Sequence, residues 1–286
     1  MEGGCTIIRP GSRNYKIGQE IGFFYMSDLH IGARDCDYNL IDAELKEAVA
    51  NGDRIAINGD VFDMILPKDH KRFRPTVLHP KISQRDNIID AAVDMGVEIL
   101  APYKDNIDMI GCGNHETSVE KYHSTDVIVR LMEKLGSKTA KYGGYQGFLE
   151  YSVRRKGGTG FRFITHYWHG GGGSAPVTKG MIDFHRLRWV GNSDVEWIGH
   201  KHNRFNAHER RMVCPKSGSK PVLKDVRHIM TGSYFDTYHG QTQESIARRG
   251  RLSNYAADAA MAPQGKGGAR VVLKMERNGF RMKVIQ

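Results

Sequence analysis

The sequence predicts an α/β fold in which two β-sheets pack against each other with helices outside. Strand-like and helix-like segments alternate as far as Gly136, whereas the second half is mostly strand-like. Alternation of this kind is typical of parallel sheets, and the later strands call for a second sheet. The length of 286 residues fits one large domain. We therefore expect a single domain over residues 1–286, with its motif-bearing core at about 22–203 and further strands and a rim loop at 204–286.

The first half contains a β-α-β unit followed by two more helices. The first helix places Ile41 and Leu45 on one apolar face and ends at the stop signal Asn51-Gly52. A strand follows this stop signal at once, which completes the β-α-β unit. The elements predicted here are a strand at 23–26, a helix at 37–50, a strand at 54–58, and helices at 86–101 and 125–135.

The second half is predicted to be mainly β-structure. Two strands are joined by a glycine-rich turn at 156–160, and the chain closes in a hairpin turned by Asn278-Gly279. The elements predicted here are strands at 148–155 and 161–168, a helix at about 181–190, a strand at 195–198, and paired strands at 270–276 and 280–285.

Charge and cysteine usage narrow the possible partners. The formal net charge of +10 favours an anionic partner, with nucleic acid first, although many basic proteins are merely soluble. Four cysteines without a CxxC pair indicate a reducing compartment rather than a disulfide scaffold or a thiolate metal site. No apolar run approaches the ~20 residues of a membrane span, and no secretory signal is visible. We expect a cytoplasmic protein without a membrane partner and without an organic cofactor.

Five short polar clusters are the most informative feature of the chain. They follow apolar stretches, as the loops at the carboxyl ends of strands do in α/β proteins. Carboxylate, imidazole and amide groups without sulfur suit two Mn, Fe or Zn ions rather than a structural zinc site. The clusters are Asp28-Leu29-His30, Gly59-Asp60-Val61-Phe62-Asp63, Gly113-Asn114-His115-Glu116, a histidine before Gly170–Gly173, and Gly199-His200-Lys201-His202.

Each cluster contains a side chain suited to a two-metal centre. The Asp60 carboxylate has two oxygens and could bridge two cations. Asn114 offers a neutral amide oxygen, which adds a ligand without adding negative charge. His200 and His202 alternate around Lys201, so each imidazole could address a different cation.

The ordered series D-x-H, G-D-x-x-D, G-N-H-E, H and G-H-x-H resembles the calcineurin-like metallophosphoesterase superfamily over about residues 22–203. The resemblance implies a four-layer α/β/β/α sandwich with two mixed sheets, two divalent metal ions with Mn favoured, and attack of a metal-bridging hydroxide on a phosphate ester. It also implies a role for each motif residue. Asp28, His30, Asp60 and His202 would hold one metal; Asp60, Asn114, the lone histidine and His200 would hold the other; His115 would protonate or stabilise the leaving oxygen, and Asp63 would orient His115.

Two residues compete for the position of the lone histidine. His166 and His169 both follow residues 161–165 of the predicted strand, but His169 directly precedes the glycine run, which resembles an HG-x-GG variant of some prokaryotic and phage-type members. His169 is therefore the favoured ligand, and His166 would be a packing residue or one that orients a ligand. Backbone N–H groups of the glycine run could approach a phosphate.

The residue after Asp63 separates branches of the superfamily. The protein phosphatases carry an arginine there that grips the phosphate, whereas this chain has Met64. A Ser/Thr phosphatase is disfavoured, and the expected activity is a phosphodiesterase acting on a DNA or RNA end. Hydrolysis of small phosphate monoesters or nucleotide pyrophosphates is the alternative. A non-catalytic scaffold on the same fold would be expected to lack ligands, and none is missing.

Basic and aromatic residues outside the clusters are candidates for contact with nucleic acid. The same residues could equally form a solvated basic face with core aromatics, and residues 230–268 could form a rim loop or a plain surface excursion. The basic candidates are Arg34, the 68–74 loop, the turn at 154–156, Arg186, Arg188, Lys201, Arg204 and the 248–251 segment; the aromatic ones are Phe73, Trp168, Tyr234 and Tyr238.

Overall fold

A computed structural model describes residues 5–64, 66, 78–155, 158, 160–173, 178, 180–187, 192–214, 220–236, 265–277 and 279–286. Within these ranges the chain forms thirteen strands and six α-helices, with a 3-10 helix at Ala101–Tyr103. The strands are β1 (Thr6–Ile8), β2 (Ser12–Tyr15), β3 (Glu20–Met26), β4 (Arg54–Ile57), β5 (Ile107–Ile110), β6 (Lys141–Tyr142), β7 (Gln146–Arg155), β8 (Gly160–Trp168), β9 (Val195–Ile198), β10 (Phe205–Val213), β11 (Val222–Met230), β12 (Ala269–Glu276) and β13 (Gly279–Ile285). The α-helices are α1 (Tyr38–Ala50), α2 (Pro80–Ser83), α3 (Ile88–Leu100), α4 (Asn114–His123), α5 (Val127–Leu135) and α6 (Met181–Leu187).

The strands form two mixed sheets, which confirms the predicted α/β class. The six-stranded sheet has the order β13-β12-β3-β4-β5-β6; β3 to β6 are parallel, β12 is antiparallel to β3, and β13 is antiparallel to β12. The seven-stranded sheet has the order β1-β7-β8-β9-β11-β10, and β2 also pairs with β7. In it, β8, β9 and β11 run parallel to one another, so their carboxyl ends share one edge.

The two sheets face each other across an aromatic core. Phe23 of β3 is fully buried, with its ring centroid 4.4 Å from that of Tyr151 and 5.0 Å from that of Phe163. Tyr25, also on β3, stacks on Trp197 of β9 at a centroid distance of 4.6 Å. All three ring pairs join one sheet to the other, so this core fixes the separation of the strand ends.

We expect replacement of Phe23 with alanine to lower the free energy of unfolding by about 3–5 kcal/mol, because the lost ring leaves a cavity between the sheets. Urea denaturation followed by circular dichroism would measure the change. An exposed apolar residue, Ile17, which is 57% exposed, supplies the matched control Ile17→Ala. A loss below about 1 kcal/mol for the Phe23 variant would show that this core packs more loosely than the ring distances indicate.

Helices cover the outer face of each sheet unequally. Helices α1, α3 and α5 pack on the six-stranded sheet through residues such as Ile41, Val93 and Leu131. Among the described residues, α6 is the only helix on the outer face of the seven-stranded sheet, where Phe184 and Leu187 contact Ile198 and Met230 and anchor it. No helix in the described part of the chain is long and apolar enough to span a membrane.

The predicted helices of the first half are confirmed, and their ends have clear causes. Asp37 caps α1 by accepting a hydrogen bond from the Leu40 N–H, and Asp126 caps α5 in the same way. Helix α5 ends at Gly136, whose φ is +59°, as the sequence predicted. The predicted helix at 181–190 is seen over Met181–Leu187, and residues 188–190 lie outside the described ranges.

Candidate metal centre

The polar clusters meet at one rim of the sandwich. Asp28 follows β3, Asp60 follows β4 and Asn114 follows β5, three parallel strands of one sheet. His169 follows β8 and His200 follows β9, two parallel strands of the other sheet. Because the sheets pack face to face, the ends of both groups of strands come together. All seven ligands predicted from the sequence lie at this rim.

Asp28, His30 and His202 form the first group of metal-capable side chains. The His202 Nε2 lies 3.3 Å from Asp28 Oδ1 and 3.1 Å from His30 Nε2. Asp28 and His30 are buried, whereas the side chain of His202 is 27% exposed. Two imidazole nitrogens and a carboxylate oxygen this close together suit a single divalent cation.

Asp60, His169 and His200 form the second group. The His169 Nε2 lies 3.2 Å from Asp60 Oδ2. Its Nδ1 lies 2.7 Å from the Asn58 carbonyl oxygen, and donation to that oxygen leaves Nε2 as the nitrogen that faces Asp60. The same Asp60 carboxylate accepts a hydrogen bond from the His115 N–H at 2.9 Å.

An unpaired oxygen and the electrostatics of this rim fit a cation. Among the described residues, no hydrogen-bond partner reaches the buried Asn114 Oδ1. Burial alone would raise the pKa of Asp60, but the imidazoles of His169 and His115 outweigh it and hold that pKa well below its usual value. Burial would likewise lower the pKa of His169, yet the Asp60 carboxylate raises it to about 10. Such a pocket stabilises positive charge and matches the donor set of two divalent ions.

Most of the candidate ligands hold a left-handed backbone. The φ angles of Asp28, His30, Asp60, His200 and His202 lie between +46° and +65°. In the described part of the chain only Ser124 and Asn192 are other non-glycine residues with positive φ. This conformation costs free energy for a side chain with a Cβ atom, and it persists where the surroundings fix it, commonly at functional sites.

Two glycines of the motifs are required by close approach to His169. A Cβ on Gly59 would lie 2.6 Å from His169 Nδ1, and one on Gly113 would lie 2.6 Å from His169 Nε2. Gly59 also has a φ of +72°. The glycines before Asp60 and Asn114 therefore make room for an imidazole that arrives from the other sheet.

Glu116 is a residue of the site to which the sequence analysis gave no role. Its buried carboxylate accepts hydrogen bonds from the N–H groups of Asp60 at 3.0 Å, Phe62 at 2.9 Å and Gly113 at 2.7 Å. It thus ties the loop after β4 to the start of α4 and places Asp60 beside Asn114. The spacing Gly113-x-x-Glu116 is that of a capping box and was the available signal.

His115 and Asp63 form the pair expected beside the metal ligands. The His115 Nδ1 lies 3.2 Å from Asp63 Oδ1, and the His30 Nδ1 lies 3.5 Å from the same oxygen. Burial would lower the pKa of His115, but the carboxylates of Asp60 and Asp63 raise it to about 9. The contact between Asp63 and His30 was not predicted from the sequence. It links the His115–Asp63 pair to the first group of metal-capable side chains.

The loop of Asp28 is supported from the C-terminal half of the chain. The Asp28 carbonyl oxygen accepts hydrogen bonds from the Tyr234 N–H at 3.0 Å and the Ser233 hydroxyl at 3.1 Å. Tyr234 is fully buried and bonds through its hydroxyl to Glu44, so its suggested role in stacking a base is wrong. Residues 231–236 thus lie beneath the rim, and 237–264, including Tyr238, lie outside the described residues.

His166 is placed away from the rim. Its ring packs against Phe148 of β7 at a centroid distance of 4.8 Å, and its strand partner on β9 is Glu196. Burial lowers the pKa of His166 to about 4. Of the two competing histidines, His169 is the one that reaches Asp60 and His200.

The basic candidates divide by position. Arg34 and Arg204 follow ligand-bearing loops directly and are partly exposed. Lys201 is buried, so the suggestion that it contacts substrate is wrong. Arg154 and Arg155 end β7 and lie beside the start of β8. They are separated from His169 by the nine residues of β8, which span roughly 25–30 Å. The 68–74 loop with Phe73, Arg188 and the 248–251 segment lie outside the described residues.

Comparison with known proteins gives remote similarities. No protein-family model matches the chain, and no curated protein does. Three solved structures are similar over most of the chain: a predicted phosphoesterase from Streptococcus pneumoniae (14% identity, 94% of this chain and 90% of that chain, TM-score 0.34), the anchor protein of the inner membrane complex of Plasmodium (11%, 93% and 84%, 0.44) and a metallophosphoesterase from Sphaerobacter thermophilus (12%, 93% and 89%, 0.32).

These identities and TM-scores are too low to carry a functional argument, which therefore depends on the residues of this chain. Its ordered motifs bring carboxylate, imidazole and amide groups to one rim, in groups able to hold metal ions. In its motif series and in the assembly of those motifs at the strand ends, the chain resembles the calcineurin-like metallophosphoesterase superfamily.

Proposed function

We propose that the chain is a metal-dependent phosphoesterase that hydrolyses phosphodiester bonds at a two-metal centre. The observation that carries the proposal is the meeting of two metal-capable groups with a third group, His30, Asp63 and His115, at one buried rim. One set of side chains can bind cations, and the His115–Asp63 pair can handle a proton. A hydrolase of phosphate esters needs both.

Some of these side chains would bind the cations, and others would transfer a proton. Bound divalent cations, with Mn favoured, would activate the attacking water and offset the charge that develops on the phosphoryl oxygens. Asp63 occupies the Nδ1 side of His115, which leaves Nε2 to donate a proton to the leaving oxygen. The ligand sets proposed are Asp28, His30, Asp60 and His202 for one cation, and Asp60, Asn114, His169 and His200 for the other.

Nucleic acid is the substrate class that we favour. The net charge of +10 attracts a polyanion, and the partly exposed Arg34 and Arg204 directly follow ligand-bearing loops. Met64 stands where the protein phosphatases carry their phosphate-gripping arginine, which disfavours that branch. Small phosphate monoesters or nucleotide pyrophosphates remain the second candidate, since the same centre could hydrolyse them.

A panel of substrates tests the proposal. With Mn supplied, we expect hydrolysis of bis-p-nitrophenyl phosphate and of labelled single- or double-stranded DNA, and we expect a chelator to abolish both activities. Metal analysis of protein purified without chelator should find one or more Mn, Fe or Zn per chain. Hydrolysis of p-nitrophenyl phosphate alone would exclude the nuclease. Less than one metal ion per chain, together with activity that added metal does not restore, would exclude the two-metal centre.

A further inference from the structure

A buried lysine lies between two of the proposed ligands. Lys201 separates His200 from His202 in the chain, yet its side chain is only 3% exposed and turns into the protein. Its Nζ lies 2.6 Å from the carbonyl oxygen of Gly171, 2.9 Å from that of Gly172 and 3.2 Å from that of Gly173. The ammonium group therefore donates hydrogen bonds to three consecutive carbonyl groups of the glycine run.

A buried carboxylate balances the charge of this ammonium. Asp183 of α6 lies 3.2 Å from the Lys201 Nζ, and its side chain is only 6% exposed. A buried pair of this kind contributes little net stability, because removing both charges from water costs about as much as their attraction returns. The pair is better explained by the geometry that it imposes.

In the described part of the chain, Gly171–Gly173 have little else to hold them in place. A Cβ on Gly172 or Gly173 would meet nothing within 4 Å, and one on Gly171 would meet only Trp168 at 3.8 Å. Gly170 packs against His200 and Ile198, whereas Gly171–Gly173 have almost no side-chain packing among the described residues, so polar contacts to their carbonyl groups fix their course. Besides those from Lys201, the Tyr145 hydroxyl donates to the Gly170 carbonyl oxygen at 2.7 Å.

One of these carbonyl groups also contacts a proposed ligand. The Gly172 oxygen lies 3.1 Å from His200 Nε2, in addition to 2.9 Å from the Lys201 Nζ. A carbonyl oxygen only accepts hydrogen bonds, so His200 Nε2 must be the donor and Nδ1 is left without a proton. Nδ1 is then the nitrogen able to bind a cation in the group that His200 forms with Asp60 and His169.

We infer that Lys201 is a positioning residue for the half of the centre that contains His200. Asp183 holds Lys201, Lys201 holds the Gly172 carbonyl group, and that carbonyl group fixes the ring orientation and the tautomer of His200. The half that contains Asp28, His30 and His202 meets this chain of interactions only through the backbone of His200, whose N–H donates to the Asp28 carboxylate at 2.9 Å. Among the described residues, the Lys201 ammonium and the Gly172 carbonyl group make no hydrogen bond to that half. The inference deepens the proposed function and depends on it.

A double substitution tests the inference without leaving a buried charge unpaired. Lys201→Met combined with Asp183→Asn keeps the approximate size of both side chains and removes both charges. The matched control is Lys134→Met with Asp94→Asn, which removes an ion pair of 2.7 Å from the surface of α5 and α3. Titration with Mn, followed by calorimetry and by electron paramagnetic resonance, would distinguish a coupled pair of Mn ions from a single one.

The inference predicts a selective loss. In the Lys201/Asp183 variant, one Mn affinity should fall about 10–100-fold, the range seen when groups that orient a ligand are removed. The other affinity should stay within about twofold of wild type, and the coupled Mn signal should give way to that of a single ion. The single variant Lys201→Arg keeps the charge and should recover part of the lost affinity, whereas the control pair should behave as wild type.

The possible failures are distinguishable. If the wild-type protein binds fewer than two Mn ions, the proposed two-metal centre is wrong, and the inference fails with it. If the wild type binds two ions and the Lys201/Asp183 variant binds both as tightly, only the role of Lys201 is wrong. An equal fall in both affinities, with a lower free energy of unfolding, would show that the pair merely stabilises the fold.

Discussion

Replacement of His115 with alanine should lower kcat on DNA by about 10²–10⁴-fold, the usual contribution of a general acid. The Mn content should stay close to that of wild type, because His115 is not one of the proposed ligands: its Nδ1 faces Asp63, and its ring only packs edge-on against His30. Single-turnover cleavage of labelled DNA, with metal analysis of the same sample, would measure both quantities. Retained turnover would remove the proposed role of His115.

The choice of substrate sharpens this prediction. The leaving group of DNA is a strongly basic alkoxide that needs a proton, whereas p-nitrophenolate leaves readily without one. The defect of His115→Ala should therefore be much smaller on bis-p-nitrophenyl phosphate than on DNA. His208→Ala is a suitable control, since His208 is 40% exposed on β10 and should leave both activities unchanged. Equal defects on the two substrates would argue that His115 binds the phosphate instead of protonating the leaving group.

The sequence predicts most of the strands and helices that position the site, because the signals for them lie close together in the chain. The ligands directly follow strands whose apolar residues are recognisable, and the helix ends carry caps such as Asp126 and stops such as Gly136. The choice of His169 over His166 was also accessible, since a glycine run after a strand permits a sharp turn toward the rim. In each case the information lies within a few residues of the feature.

The errors concern residues whose surroundings come from distant parts of the chain. Lys201 was considered for substrate contact or for a solvated basic face, but it is buried, and its partners are carbonyl groups about 30 residues earlier and Asp183. Tyr234 was considered either a base-stacking residue or a core aromatic; it is buried, and its hydroxyl reaches Glu44 from a position 190 residues later. Periodicity cannot reveal such contacts, because they depend on how the two sheets are joined.

Several elements were missed because tertiary packing, rather than sequence pattern, stabilises them. Helix α4 is polar through most of its length and buries only Glu116 and Val119, so it has no apolar stripe. Strand β10 is an edge strand whose residues are mostly polar, and its nine-residue pairing with β11 makes it a strand. The short strands β1 and β2 depend in the same way on β7.

Replacement of Gly113 with alanine should damage the centre through a single methyl group. The added Cβ would lie 2.5 Å from the Asp60 N atom and 2.6 Å from His169 Nε2, distances that no native contact allows. Relief requires Asp60, His169 or the start of α4 to shift, and a displacement near 1 Å at an active site costs about 10²-fold in rate. We expect kcat/KM on DNA to fall by about that factor, with weaker Mn binding in the second group. Mn titration and steady-state kinetics would measure these changes.

Gly160→Ala is the matched control, because Gly160 lies at the opposite end of β8 from His169 and a Cβ there would approach nothing closer than 3.1 Å. The free energy of unfolding should fall by only about 1–3 kcal/mol in the Gly113 variant, the usual cost of overpacking, so the protein should remain folded while the centre fails. Restoring the rate with excess Mn would place the damage in metal binding. A rate that stays low at saturating Mn would place it in the position of His115, whose N–H is bonded to the displaced Asp60 carboxylate. Unchanged activity and Mn affinity would mean that the loops after β4 and β8 move easily to accommodate the methyl group. In that case the close packing of His169 between Gly59 and Gly113 would not determine the geometry of the site.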